Sequence, residues 1–133
     1  MDILSLLLRI PGLILALSFH EFAHGYAAYK MGDNTAKYNG RLSLNPLKHL
    51  DPIGTLCMIF FRFGWAKPVP INPRNFKNPR RDFALTALAG PGVNIIMAFV
   101  SALLFILSLK LTAVISGLLM TKIRKDVKQG ATI

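Results

Sequence analysis

The sequence predicts a mostly α, polytopic membrane protein, with long helices at about residues 3–31 and 83–110 and an irregular loop, short strand and re-entrant segment between them. Three observations carry this expectation. The 133 residues are 53% hydrophobic and 17% charged, with a mean hydropathy of +0.45, a balance foreign to ordinary soluble domains. The apolar residues come in blocks, at 3–19, 52–61 and 83–120, with most charges between or after them. The net charge of +10 sits mainly in loops that flank those blocks, where Lys and Arg anchor a chain against anionic lipid; the bilayer, not nucleic acid, is the expected partner.

The first helix follows from the run ILSLLLRIPGLILALSFHEFAHGYAAYKMG, apolar through Phe19 and stopped by Gly32 before Asp33-Asn34. Pro11-Gly12 is a candidate kink, and Arg9 lies early enough to snorkel toward an interface. A signal peptide is the rival reading, but Met1-Asp2-Ile3 lacks a basic leader, and cleavage near Ser18 would fall just before a charged motif. The polar middle, 33–82, is too rich in Pro, Asn and Gly for long regular elements. Within it, 53–61 is apolar but only about half the roughly 20 residues a spanning helix needs, hence a re-entrant segment. Arg41-Leu42-Ser43-Leu44 alternates as a short strand does, and Pro68-Val69-Pro70 suits an edge or extended segment.

The second long helix carries Gly90-Pro91-Gly92 and Asn94 and is expected to end near Lys110. Residues 111–120 are apolar but too short to span, and 121–133 read as a basic polar tail without a periodic apolar face. The expected organisation is a core at 1–120 followed by that tail. Ten Lys or Arg against three Asp between Lys30 and Asp82 place the middle loop on the cytoplasmic side of a cell membrane. The single cysteine, Cys57, excludes an internal disulfide and reads as an apolar filler, so any metal must rely on His, Asp or Glu.

The chemistry concentrates at His20-Glu21-Phe22-Ala23-His24. On a helix, histidines four residues apart project from one face, so both imidazoles reach one Zn2+ at about 2.0–2.1 Å. Glu21 beside that metal can take a proton from the attacking water and deliver it to the leaving amine. The bland alternative is a pair of satisfied core histidines. Three ionisable groups directly after a long apolar run argue against it, because a charge at membrane depth costs several kcal/mol on most estimates without a partner such as a metal. Asn94 has two readings, a donor to a developing oxyanion or an interhelical hydrogen bond worth about 1–2 kcal/mol. Asp51-Pro52 reads as a turn or helix start, His49 as a loop histidine, Trp65 as an interfacial anchor, and Arg74, Lys77, Arg80 and Arg81 as a solvated membrane-surface face.

Together with Gly40-Arg41-Leu42-Ser43-Leu44-Asn45-Pro46, His49-Leu50-Asp51-Pro52-Ile53-Gly54-Thr55, Gly64-Trp65-Ala66-Lys67-Pro68-Val69-Pro70 and Ala89-Gly90-Pro91-Gly92-Val93-Asn94, the motif resembles the site-2 protease family of intramembrane zinc metallopeptidases, in its short form without a PDZ domain. The resemblance covers about residues 10–100 and fades beyond Leu111. It implies cleavage of a peptide bond in or near a transmembrane segment of a membrane protein substrate, with His20 and His24 on zinc, Glu21 as general base and Asn94 as a transition-state donor. It also implies a third ligand, an Asp in a pattern like Asn-x-x-Pro-x-Pro-Pro-Leu-Asp-Gly, which this sequence lacks; Asp126 stands in no such context. Two histidines alone predict weak, substoichiometric zinc. The alternative is therefore an inactive, truncated relative whose sequence changes abruptly near Thr121, and a small metal-handling membrane protein is a third reading that leaves the other motifs unexplained. Substrate identity and oligomeric state are left open.

Overall fold

The structure is a computed structural model that describes residues 2–131. Its elements are α1 (Ile3–Lys30), α2 (Thr35–Tyr38), a 3₁₀ turn at Pro46–Lys48, α3 (Pro52–Phe61), a second 3₁₀ turn at Pro73–Asn75 and α4 (Pro79–Gly130). Among the described residues there is no strand, and the pairing outside helices is an isolated antiparallel bridge between Leu50 and Ala66. The chain divides into two compact units, residues up to Met97 and residues from Ala98.

α1 begins at Asp2, whose Oδ1 accepts from the Ser5 N–H at 2.8 Å and so satisfies one of the four amides a helix start leaves free. It stops where the sequence predicts: Gly32 takes φ +106, and the Asp33 N–H returns to the Ala28 carbonyl at 2.9 Å. With 28 residues α1 is about 42 Å long, enough to cross a hydrocarbon core of about 30 Å. Pro11 lies inside it.

α3 is the apolar segment expected to re-enter. Asp51 caps it, its Oδ1 accepting from the Gly54 N–H at 2.8 Å with Pro52 in the first turn, and Arg62 ends it in the left-handed region at φ 63. Its 10 residues span about 15 Å, half a bilayer. The Trp65 carbonyl occupies the position a Cβ on Gly54 would take, so glycine there lets the returning chain lie against the helix.

α4 starts with a reciprocal cap. The Asn78 side chain accepts from the Arg81 N–H at 3.3 Å while Asp82 accepts from the Asn78 N–H at 3.2 Å, and Pro79 opens the first turn. The helix departs from expectation at both ends: it begins at Pro79 and runs to Gly130 without a break at Lys110, so 121–130 is helical and not a loose tail. Residues 121–129 contain neither Pro nor Gly and are mostly strong helix formers, so a helix already nucleated upstream propagates through them. α1 and α4 are both long and apolar enough to cross a membrane.

The short strand expected at Arg41–Leu44 is not formed. Alternation makes a strand only where a neighbour supplies a ladder. Here Arg41 turns inward, its guanidinium donating to the Lys67 carbonyl at 2.6 Å and the Pro68 carbonyl at 3.1 Å. Within the unit that ends at Met97, the buried apolar residues are Ala28, Ala36, Val69 and Phe76, and they share the interior with Ser18, Asp33, Arg41, His49, Asp82 and Thr86. This interior lies where α1, the polar loop and the start of α4 hold the histidines.

Candidate metal centre

The α1 backbone places His20 and His24 one turn apart on one face, with ring centroids 4.7 Å apart and rings nearly perpendicular at 84°. Glu21 is close by: one ligand atom from each of His20, Glu21 and His24 lies within 4.8 Å of the others. All three side chains are half-buried. Among the described residues this is the one cluster of three or more His, Cys, Asp or Glu that could hold a metal ion.

The opposing wall is a single stripe of α4, with Thr86, Gly90 and Asn94 spaced four residues apart. The His24 Nδ1 lies 2.7 Å from the Thr86 carbonyl, and since a carbonyl only accepts, Nδ1 carries the proton. A neutral His24 ring so oriented presents the Nε2 lone pair, the form a metal ligand needs. Asn94 approaches the other ring, with its Nδ2 3.0 Å from the His20 Nδ1. Between these contacts the absence of a side chain at Gly90 opens a space. A Cβ there would stand 2.5 Å from the His24 Nε2 and 2.8 Å from the His20 Nε2, nearer than a Cβ comes to any non-bonded atom. The two ring nitrogens thus converge on a cradle that a methyl group would fill, and the residues fit a zinc ion.

The third wall is the extended segment 66–72. The Val69 N–H donates to the Glu21 Oε2 at 3.2 Å. The segment is pinned on three sides: the Lys67 N–H donates to the His49 carbonyl at 2.8 Å, Arg41 holds the Lys67 and Pro68 carbonyls, and the Asn72 N–H donates to the Asp33 carboxylate at 2.8 Å. Asp33 is fully buried and also accepts from the Thr35 N–H, the Thr35 hydroxyl and the Asn75 side chain. Burial pushes its carboxyl up, but these hydrogen bonds outweigh burial and leave it below the ordinary carboxylate value. A cleft lined by Glu21, His24, Pro68, Val69, Phe83 and Thr86 lies beside the cluster.

The structure therefore brings His20, Glu21, His24 and Asn94 together. Asp51 and His49 stay apart from the cluster: Asp51 caps α3, and His49 is fully buried with its Nε2 donating to the Ser43 carbonyl at 2.5 Å. The expectation of a loop histidine at 49 missed that burial. Thr86, Val69, Arg41 and Asp33 went unnoticed as contributors. Two of them act through backbone atoms that carry no side-chain signature, whereas Asp33, directly after the helix stop, could have been read as a loop anchor.

Neither a family model nor a solved structure matches the chain. It is 53% identical over 95 residues to the candidate zinc metalloprotease YwhC of Bacillus subtilis, a match covering 71% of this chain and 43% of that protein. It is 31% identical over 96 residues to the candidate zinc metalloprotease Rip2 of Mycolicibacterium smegmatis, covering 69% and 37%. The Mycobacterium tuberculosis Rip2 (strain H37Rv) matches at 32% over 95 residues, covering 67% and 36%. The chain thus spans less than half the length of the curated relatives it matches, and what it shares with them is similarity to proteins named as zinc metalloproteases.

Proposed function

We propose that this chain carries the zinc-binding and base-supplying half of an intramembrane metallopeptidase of the site-2 protease type, acting on a peptide bond in or near a transmembrane segment of a membrane protein. The observation that carries the reading is the convergence of the His20 and His24 Nε2 atoms on the space over Gly90, with the Glu21 carboxylate alongside. His20 and His24 are the zinc ligands in this proposal and Glu21 is the general base. Zinc bound there supplies Lewis-acid activation of water.

The chain's own residues do the rest. Val69 aims the Glu21 carboxylate through one oxygen and leaves the other to accept a proton, which the same group returns to the leaving amine. Thr86 sets the His24 tautomer. A membrane setting is supported by the inverted distribution of residues: Ser18, Asp33, His49, Asp82 and Thr86 are fully buried while long stretches of Leu, Ile and Phe on α1 and α4 are exposed. The chain is proposed to cross the membrane more than once, with loop 30–82 on the cytoplasmic side. A catalytic zinc takes three protein ligands. Hydrolysis therefore needs one more than the two histidines supply, and among the described residues no other His, Cys, Asp or Glu joins the cluster.

The experiment is zinc analysis of the chain purified in detergent, as wild type, His24→Gln and Glu21→Gln. Wild type and Glu21→Gln are expected to retain zinc below one equivalent and His24→Gln to lose it. Zinc held equally by all three would overturn the site. Where a third ligand completes the site and a membrane substrate is cleaved, Glu21→Gln should slow cleavage by about 10²-fold or more, and an unchanged rate would overturn Glu21 as the base.

A further inference from the structure

Asn94 offers more than a contact between two helices. Its side chain is half-buried, its Nδ2 lies 3.0 Å from the His20 Nδ1, and its Oδ1 is buried with no hydrogen-bond partner among the described residues. If Nδ2 donates to Nδ1, the His20 ring proton must sit on Nε2, the atom that faces the His24 Nε2 and the space over Gly90. That would aim a proton at the place where a ligand lone pair is required, opposite to the arrangement at His24.

Rotating the amide by half a turn exchanges oxygen and nitrogen in the same volume, an assignment that only the hydrogen-bond network can decide. It keeps one hydrogen bond, now from the His20 Nδ1–H to the amide oxygen, and frees the Nε2 lone pair. The two histidines then become equivalent: each gives its Nδ1 proton to an oxygen of α4, the Thr86 carbonyl for His24 and the Asn94 amide for His20, and each turns Nε2 toward the same cradle.

We infer that Asn94 is a positioning residue, which accepts the His20 Nδ1 proton through Oδ1 and so fixes the tautomer and ring plane of a zinc ligand. This rests on the metal reading above and changes the role of Asn94 from a donor to substrate to an acceptor behind a ligand. In this arrangement the Asn94 Oδ1 is spent on the His20 ring, and its Nδ2 takes the buried position that has no hydrogen-bond partner among the described residues. Oxygen acceptors behind ligating histidines are commonly worth 10- to 100-fold in metal affinity.

The test uses the full chain in detergent micelles. Nitrogen-15 spectra of metal-free protein with labelled histidine, the His20 signals assigned by their loss in His20→Gln, report which ring nitrogen carries the proton. Protonated Nδ1 with bare Nε2 is expected; the reverse tautomer overturns the inference without reference to zinc. Zinc affinity, measured by competition with a chromophoric chelator, is expected to fall about 10- to 100-fold in Asn94→Leu and to be largely retained in Asn94→Asp, which keeps an oxygen acceptor. Equal loss in both variants, or none in Asn94→Leu, overturns it. A wild-type chain that binds no zinc would instead sink the metal reading, and the tautomer measurement would still decide what Asn94 does.

Discussion

The two compact units of this chain use helix in opposite ways. In the residues up to Met97, helices serve as walls: α1 and the first turns of α4 bury polar groups, and the loop between them is tied down by Arg41, His49 and Asp33. From Ala98 to Ala131 every residue is exposed, and the side-chain hydroxyls of Ser108, Thr112 and Thr121 bond to the carbonyls of their own helix. The lesson is that apolar length and chemical content are separate properties of a membrane-type helix. α4 has both, in different stretches.

Substitutions that respect one unit and disturb the other test that contrast. The largest effect is expected from Gly90→Ala, because its methyl would collide with both His Nε2 atoms: zinc affinity should drop by about 100-fold, the upper range for disturbed ligand orientation. Two residues on, a methyl at Gly92 would meet nothing within 4 Å, so Gly92→Ala should keep zinc and favour the helix by roughly 0.5–1 kcal/mol. If both variants bind zinc like wild type, the cradle is not the metal's place.

Next comes Asp33→Asn, which weakens the four hydrogen bonds that anchor the loop, for a loss of about 1–3 kcal/mol in thermal or denaturant unfolding. Its carboxyl lies below the ordinary value when folded, so its stabilising contribution is present above the unfolded value of about 3.9 and disappears as pH falls through the folded one. The wild-type melting temperature should therefore decline on acidification below about pH 4, and the Asn variant should lose part of that decline, the remainder coming from Asp82 and Asp2, whose carboxyls are also lowered by their hydrogen bonds. The smallest effect is expected from Lys122→Gln with Lys125→Gln in the exposed stretch, a change within about ±0.5 kcal/mol. A larger shift would mean that the far stretch of α4 supports the rest of the fold.

What could be read in advance follows from how local the signal is. The pairing of His20 with His24 was legible because helix periodicity alone brings residues four apart to one face, with Glu21 directly after the first of them. The same holds for the stop at Gly32 and the Asp51-Pro52 helix start, which depend on the residues themselves and their immediate neighbours. Nothing local marks the Thr86 carbonyl or the Val69 amide, since every residue other than proline has both groups and only the tertiary fold selects these two. The alternation at 41–44 misled because the polar Arg41 turns inward to two loop carbonyls while the apolar Leu44 is exposed, the reverse of what a half-buried strand with this pattern would show. The end expected at Lys110 failed for a related reason: one charge interrupts an apolar pattern without interrupting a helix.

The prolines on either side of Val69 have a consequence for accuracy. Proline has no amide hydrogen, so from 68 to 70 the loop offers a single donor, and Glu21 takes it. A slip of one residue in either direction would present the carboxylate with a proline and no hydrogen bond. The contact is all or nothing, and a misthreaded loop cannot counterfeit it.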